Sequence, residues 1–235
     1  MKRNILFTLL IIVLSALFGC TTEKFEYSSI GDSLTWQDGE NFSETNIKVI
    51  GYQQVVKEKL DLDKIYNLGI SGASLAVSSN YPMNGSIVKD ISYKEINKSE
   101  VITIFVGTND FKLNVPLGEI NDLNETTFIG AYEILINRIL ENKSDNQKIY
   151  LISPLQRNKD GYDINKVNDV EYKLNDYVEA VKSIGEKFNI PVLDVYNNYD
   201  ININNLDKYT IDGLHLNNDG YEVLGEDVAT FISNN

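Results

Sequence analysis

The sequence predicts an α/β domain built on a parallel β-sheet with helices on both faces. Two observations predict it. Apolar runs of strand length alternate with segments whose apolar residues recur at helical spacing, and five such strands can be read along the chain. One run, VITIFVG at residues 101–107, is β-branched and carries no charge, as a strand covered on both faces must be.

The elements follow in order. A first strand is expected over Tyr27–Ile30, and Asn46–Leu60 reads as a helix. Lys64–Leu68 reads as a short strand that runs into NLGISGAS, and Val88–Asn97 as helical. After the strand at 101–107, Thr126–Lys143 places Tyr132, Leu135, Ile136, Ile139 and Leu140 on one helical face. KIYLISP at 148–154 is the fourth strand. Leu174, Tyr177, Val178, Val181 and Phe188 mark a long helix, and IPVLDVY at 190–196 is the fifth strand. A closing helix from Asp219 to Ser233 lines up Tyr221, Leu224, Val228 and Ile232. Parallel strands joined by crossovers bind ligands beyond their carboxyl ends. Polar loops at 110–125, 155–165 and 197–211 follow strands three, four and five, and are the natural walls of a pocket.

A chain of 235 residues with 43% hydrophobic and 23% charged residues suits one domain with a sizeable core. The net charge of -13 repels phosphate backbones and excludes nucleic acid as a partner. It also disfavours a strongly anionic polymer as substrate. One histidine and one cysteine allow no intrachain disulfide and no His/Cys ligand cluster, so neither a metal nor another cofactor is expected.

The first twenty residues, MKRNILFTLLIIVLSALFGC, read as a targeting segment. Lys2 and Arg3 form a positive head, and the apolar run Ile5–Phe18 is short for a membrane span. Leu17-Phe18-Gly19-Cys20 resembles the lipobox of bacterial lipoproteins, with Phe18 bulkier than the usual small residue. The expectation is a signal peptide over 1–19, a lipidated Cys20 with a short tether over 20–25, and a single folded domain over 26–235. The protein is then exported, to the cell surface or periplasm, and anchored to a membrane; a plain secretory signal and a secreted protein are the alternative. The tether TTEKF reaches roughly 20 Å when extended, which keeps the domain close to the membrane.

Ser33 follows the first strand, in SSIGDSLTWQDG. A serine hydroxyl is a poor nucleophile without a base for its proton, an acid to orient that base and donors for the oxyanion. His215, the only histidine, lies in TIDGLHLNNDG with Asp212 three residues before it. A turn there can set the carboxylate against one imidazole nitrogen and leave the other to face Ser33. Gly69 in NLGISGAS can offer an unobstructed backbone N–H, and Asn109 in FVGTND a side-chain amide. Taken singly, these are ordinary turn residues. Taken together, four of them lie after strands or in the C-terminal loop.

The blocks Gly31-Asp32-Ser33-Leu34, Gly69 in NLGISG, Gly107-Thr108-Asn109-Asp110 and Asp212-Gly213-Leu214-His215 resemble, in order, those of the SGNH hydrolases, also called GDSL esterases and lipases. The resemblance implies a flavodoxin-like three-layer α/β/α sandwich on a five-stranded parallel sheet. It implies Ser33 as nucleophile, His215 as base and Asp212 as its orienting acid. The Ser33 and Gly69 backbone N–H groups and the Asn109 side chain would form the oxyanion hole. Thr35 stands where the Gly-x-Ser-x-Gly elbow of other hydrolases has its last glycine. Leu216 follows His215 where many members have proline, and Ser28 and Ser29 make the first strand polar. Asp32 and Asp110 are expected to shape turns rather than act on substrate.

Trp36, the only tryptophan, could stack on a sugar ring or border an acyl pocket; a rim or core aromatic is the alternative. The loops DFKLNVPLGEI and QRNKDGYDIN are mixed rather than apolar, and no amphipathic lid of lipase type is evident. The expected substrate is a short acyl, such as acetyl, ester of a carbohydrate or other polar alcohol. A lysophospholipid or short-chain lipid ester is the alternative, and a non-catalytic binding lipoprotein is the reading from another class.

Overall fold

The computed structural model describes residues 25–42, 45–78, 85–197 and 199–235. The expected signal peptide at 1–19 and lipidation site Cys20 lie outside the described residues. Among the described residues, no helix is long and apolar enough to cross a membrane.

Five parallel strands form the central sheet: β1 (Glu26–Gly31), β2 (Lys64–Gly69), β3 (Val101–Phe105), β4 (Lys148–Ile152) and β7 (Val192–Leu193). Their order is β2-β1-β3-β4-β7, the doubly wound arrangement in which connections leave β1 and β3 in opposite directions. A crevice opens beyond the carboxyl ends of that pair. A separate hairpin, β5 (Asn158–Lys159) and β6 (Tyr162–Asp163), stands beyond β4. Asp160 and Gly161 turn it with φ of 56° and 77°, the two positive angles that a two-residue type I′ turn demands.

The helices are α1 (Ser33–Trp36), α2 (Tyr52–Lys59), α3 (Ile87–Asp90), α4 (Tyr93–Ile96), α5 (Thr108–Lys112), α6 (Phe128–Glu141), α7 (Leu174–Phe188), α8 (Leu206–Tyr209) and α9 (Asn218–Asn234). Alternation along the strands sends side chains to two cores. Ile30, Ile102, Ile104 and Leu151 pack with Leu135 and Ile139 of α6 and Val178 and Val181 of α7. Tyr27, Val101, Phe105 and Ile152 pack with Val56 of α2 and Tyr221, Leu224 and Val228 of α9. Both faces of the sheet are therefore covered, in three layers. Each such fully buried aliphatic side chain stabilises the fold by about 1.5–3 kcal/mol relative to exposure. The polar start of β1 is satisfied in part: Ser28 Oγ pairs with Ser99 Oγ at 2.7 Å and the Tyr27 hydroxyl with Thr103 Oγ1 at 2.7 Å, whereas the buried Ser29 Oγ has no partner.

Three stretches differ from the sequence expectation. Residues 46–50 are not helical, and α2 begins only at Tyr52. Val49 instead exchanges backbone hydrogen bonds with Gly39 and Glu40, and its side chain is buried. Tertiary pairing of a β-branched run overrides the helical spacing. The segment 88–97 is two single turns, α3 and α4, separated at Ile91, whose extended backbone (ψ 143°) lets its side chain reach the core. The fifth strand shrinks to two residues at the sheet edge. Pro191 cannot donate to the ladder, and the N–H groups of Val195 and Tyr196 are taken by Ser153 Oγ and Asp194 Oδ1.

Candidate active site

The site grows from the carboxyl edge of β1 and β3. After Gly31 the chain turns directly into α1. Asp32 caps that helix, its Oδ1 accepting the Leu34 N–H at 3.0 Å. A Cβ on Gly31 would lie 2.1 Å from Thr35 Oγ1 and 2.8 Å from the Phe105 carbonyl oxygen, so only glycine permits this turn. Ser33 is thereby presented at the rim as the first residue of α1, where its N–H has no intrahelical acceptor.

At the end of β3, Gly107 adopts φ +117° and starts α5. This brings Asn109 to the same edge. Its amide donates one hydrogen to the Ala73 carbonyl at 2.9 Å, which leaves the second for a ligand. Asp110 accepts the N–H groups of Leu75 (2.9 Å) and Ala76 (3.1 Å), locking the loop after β2 onto α5. Burial pushes the Asp110 pKa up to about 7, against these two hydrogen bonds. Burial likewise pushes Asp32 up to about 6, opposed by the Leu34 N–H and by the charges of His215 and Arg157. Both acids therefore shape turns, as expected. Arg157 is itself fully buried, and its Nη1 donates to Thr108 Oγ1 (2.9 Å) and to the Thr108 carbonyl (3.2 Å), bracing the start of α5.

The third contributor is the loop between α8 and α9. Thr210 and Leu216 bridge across its base, with Leu216 fully buried. Gly213 takes φ +81° and donates its N–H to Thr210 Oγ1. Asp212 Oδ1 accepts the N–H groups of Leu214 (3.1 Å) and His215 (2.8 Å), and its Oδ2 lies 2.8 Å from His215 Nδ1. Burial raises the Asp212 pKa, but hydrogen bonds from His215 and Lys159 outweigh it and hold the carboxyl well below the usual range. An ionised Asp212 fixes the hydrogen on Nδ1 and leaves Nε2 as an acceptor. Ser33 Oγ lies 2.9 Å from that Nε2, although the two residues are 182 positions apart in the chain.

A cavity of about 510 Å³ opens here, lined by Ser33, Gly72, Asn109, Lys112, Tyr162 and His215 among others. The arrangement can take a proton from a serine hydroxyl and hold negative charge beside it. Ser33, Asp212, His215 and Asn109 thus meet at one place. Gly69 does not join them. Its N–H donates to Asn67 Oδ1 at 3.0 Å, and a Cβ there would lie 2.2 Å from the Trp36 backbone nitrogen. Gly69 is needed for close packing of β2 against α1. The glycine on the cavity wall is Gly72, at φ +76°. NLGISG contains both, and the glycine further from the strand is the one free of the ladder. Trp36, 40% exposed, is not among the cavity-lining residues. Sequence reasoning did not single out Lys112, Lys159 or Tyr162, which enter from two of the three loops read as pocket walls. Among the described residues, no three His, Cys, Asp or Glu side chains cluster as a metal site.

The GDSL-like lipase/acylhydrolase family profile matches residues 29–223. The N-acylneuraminate cytidylyltransferase of Escherichia coli is 26% identical over 211 residues, covering 88% of this chain; the chain spans about half, 45%, of that relative's length. A protein of known structure from Lactobacillus plantarum is 24% identical with a TM-score of 0.73, covering 90% of this chain and 98% of that one. A possible lipase from Chitinophaga pinensis is 24% identical with a TM-score of 0.67 and the same coverage, 90% and 98%. The two structures share the fold, and the profile spans most of the chain, from β1 into α9. The chain belongs to the GDSL-like lipase/acylhydrolase family.

Proposed function

We propose that the protein is a serine esterase that removes a short acyl group, such as acetyl, from a carbohydrate or other polar alcohol, with Ser33, His215 and Asp212 as its triad. The observation that carries this reading is the continuous relay from Ser33 Oγ to His215 Nε2 (2.9 Å) and from His215 Nδ1 to Asp212 Oδ2 (2.8 Å) at the wall of one cavity. His215 Nε2 accepts the hydroxyl proton as Ser33 Oγ attacks the acyl carbonyl carbon. The resulting oxyanion takes hydrogen bonds from the Ser33 N–H, the Asn109 amide and, in place of Gly69, the Gly72 N–H. The imidazolium then protonates the departing alcohol, leaving an acyl ester on Ser33. Water enters, His215 takes its proton, and attack on the acyl carbon releases the acid and restores the hydroxyl.

The polar alcohol is favoured by the charged and hydrogen-bonding side chains of the wall: Ser71, Lys112, Lys159, Asp160 and Tyr162 line the cavity, beside the apolar Leu113 and Leu214. The relative from Escherichia coli is named for a sugar acid, which agrees with a carbohydrate substrate. On the sequence reading of residues 1–25, the enzyme is exported and anchored through Cys20.

The test is hydrolysis of a chromogenic acetyl ester by the wild type and by Ser33→Ala. The variant is expected to lose at least about 10³-fold in kcat while folding normally. Equal rates would refute the reading. Acetylated glycans are then expected to turn over faster than lysophospholipids, and the reverse order would move the assignment to a lipid ester.

A further inference from the structure

We propose that Lys159 is a positioning residue of the acid–base pair, sharing Asp212 Oδ2 with the imidazole and opposing the imidazolium from outside the triad. The inference rests on the triad reading above and adds a residue to it.

Lys159 belongs to β5, and its hairpin is docked on the histidine loop. The Asn158 N–H donates to the Gly213 carbonyl at 2.8 Å. Gly213 approaches so closely that a Cβ would lie 2.1 Å from the Asn158 carbonyl oxygen. This contact aims the Lys159 side chain at Asp212. Its Nζ donates to Asp212 Oδ2, the same oxygen that receives His215 Nδ1, and lies 3.3 Å from Nδ1 itself. Nδ1 carries a hydrogen when it donates to Asp212, so the ammonium and the ring cannot hydrogen-bond to each other. They meet as two donors on one acceptor. The Lys159 side chain is 26% exposed, so water screens this contact only in part.

The other charged groups around His215 divide by sign. Asp212 on its own loop and Asp32 at the cap of α1 favour the imidazolium. Lys159 on β5 opposes it, as does the buried guanidinium of Arg157, which interacts with both of those carboxylates. Asp160 is paired with Lys112 at 2.7 Å, so the tip of the hairpin adds little net charge. Lys159 offsets the charge of Asp212 and Asp32 while leaving the Asp212–His215 bond in place. The same ammonium also holds the Asp212 carboxylate in place through Oδ2.

His215 is the only histidine, so its titration can be followed directly by NMR in the full chain, purified without a histidine tag. The experiment compares wild type, Lys159→Met and Lys159→Arg in two readouts: the His215 titration midpoint and the acid limb of kcat/KM for an acetyl ester. In Lys159→Met both are expected to move to higher pH by roughly half a unit or more, and in Lys159→Arg to stay near wild type. High salt is expected to narrow the difference. If the methionine variant fails to fold, Lys159→Gln carries the same expectation. An unchanged midpoint and limb, a shift to lower pH, or a uniform loss of rate with no shift would each overturn the proposal. Failure of the triad reading shows separately, as activity retained in Ser33→Ala.

Discussion

Asn109 divides its side-chain amide between structure and chemistry. One hydrogen is held by the Ala73 carbonyl, which fixes the plane of the amide, and the other remains for a ligand, the oxyanion of the proposed mechanism. Removing it in Asn109→Ala is expected to raise the barrier by about 2.7–4 kcal/mol, a loss of about 10²–10³ in kcat with KM little changed. Steady-state kinetics on an acetyl ester check this. Asp110 beside it has a structural task, and its pH dependence has a definite sign. Its pKa is about 7 in the folded protein, against 3.8 ordinarily. Between those values the folded state binds the extra proton, so this residue's contribution to stability falls as pH rises through the window. Asp212 has the opposite sign: its depressed pKa stabilises the fold above the ordinary carboxylate range, and that gain is lost as pH falls through it. Asp110→Asn offers one acceptor oxygen to two backbone donors and is expected to cost about 1–3 kcal/mol. Urea unfolding at pH 5 and pH 7 should also show less decline in the variant than in the wild type.

At the scale of elements, Gly213 and Gly161 share a backbone conformation and differ in surroundings. Both have positive φ, 81° and 77°, but Gly213 abuts the Asn158 carbonyl, whereas nothing lies within 4 Å of a Cβ on Gly161. Gly161→Ala is expected to cost only the left-handed penalty, about 1–2 kcal/mol, and to keep its activity. Gly213→Ala adds a clash that separates the hairpin from the histidine loop. It is expected to lower kcat/KM by more than about tenfold, alongside a strain cost of about 1–3 kcal/mol. Thermal melts and kinetics on the pair separate the two effects. This docking was not legible in the sequence, because a six-residue hairpin has no periodicity and its partner is more than fifty residues away. The long helices α6, α7 and α9 were legible within about two residues, since each carries several turns of apolar residues on one face. Residues 46–50 and 190–196 were misread because contacts outside each segment decide its backbone: Val49 pairs with Gly39 and Glu40, and Ser153 Oγ takes the Val195 N–H. Ser33, Asp212, His215 and Asn109, which the fold brings to one edge, were legible because each sits in a short motif after a strand or in the last loop. Gly72 was missed because two glycines share NLGISG, and only the fold tells them apart: Gly69 lies in the ladder with its N–H on Asn67, and Gly72 on the cavity wall.

For the whole molecule, the direction of β1 relates the proposed anchor to the cavity. Phe25 stands at the amino end of that strand and Ser33 just beyond its carboxyl end, so the described chain begins at the pole opposite the active site. The six residues of β1 rise about 3.3 Å each, roughly 20 Å in all. An anchor at Cys20, the proposed lipidation site, is tied to Phe25 by a tether whose extended reach is also about 20 Å. That leaves no slack to turn the cavity onto the bilayer that holds the lipid. The net charge, -13 for the whole sequence and more negative once Lys2 and Arg3 leave with the proposed signal peptide, adds repulsion from anionic headgroups. An enzyme so held works on esters that face it from the outer solvent or from a surrounding glycan, which is why the carbohydrate reading and the anchor support each other. The full chain reconstituted in vesicles is therefore expected to hydrolyse a water-soluble acetylated sugar as fast as it does in detergent. It is expected to turn over lysophospholipid embedded in the same vesicles more slowly than lysophospholipid in mixed micelles. Faster turnover of the embedded lipid would place the cavity against the membrane and reverse both the orientation and the preferred substrate.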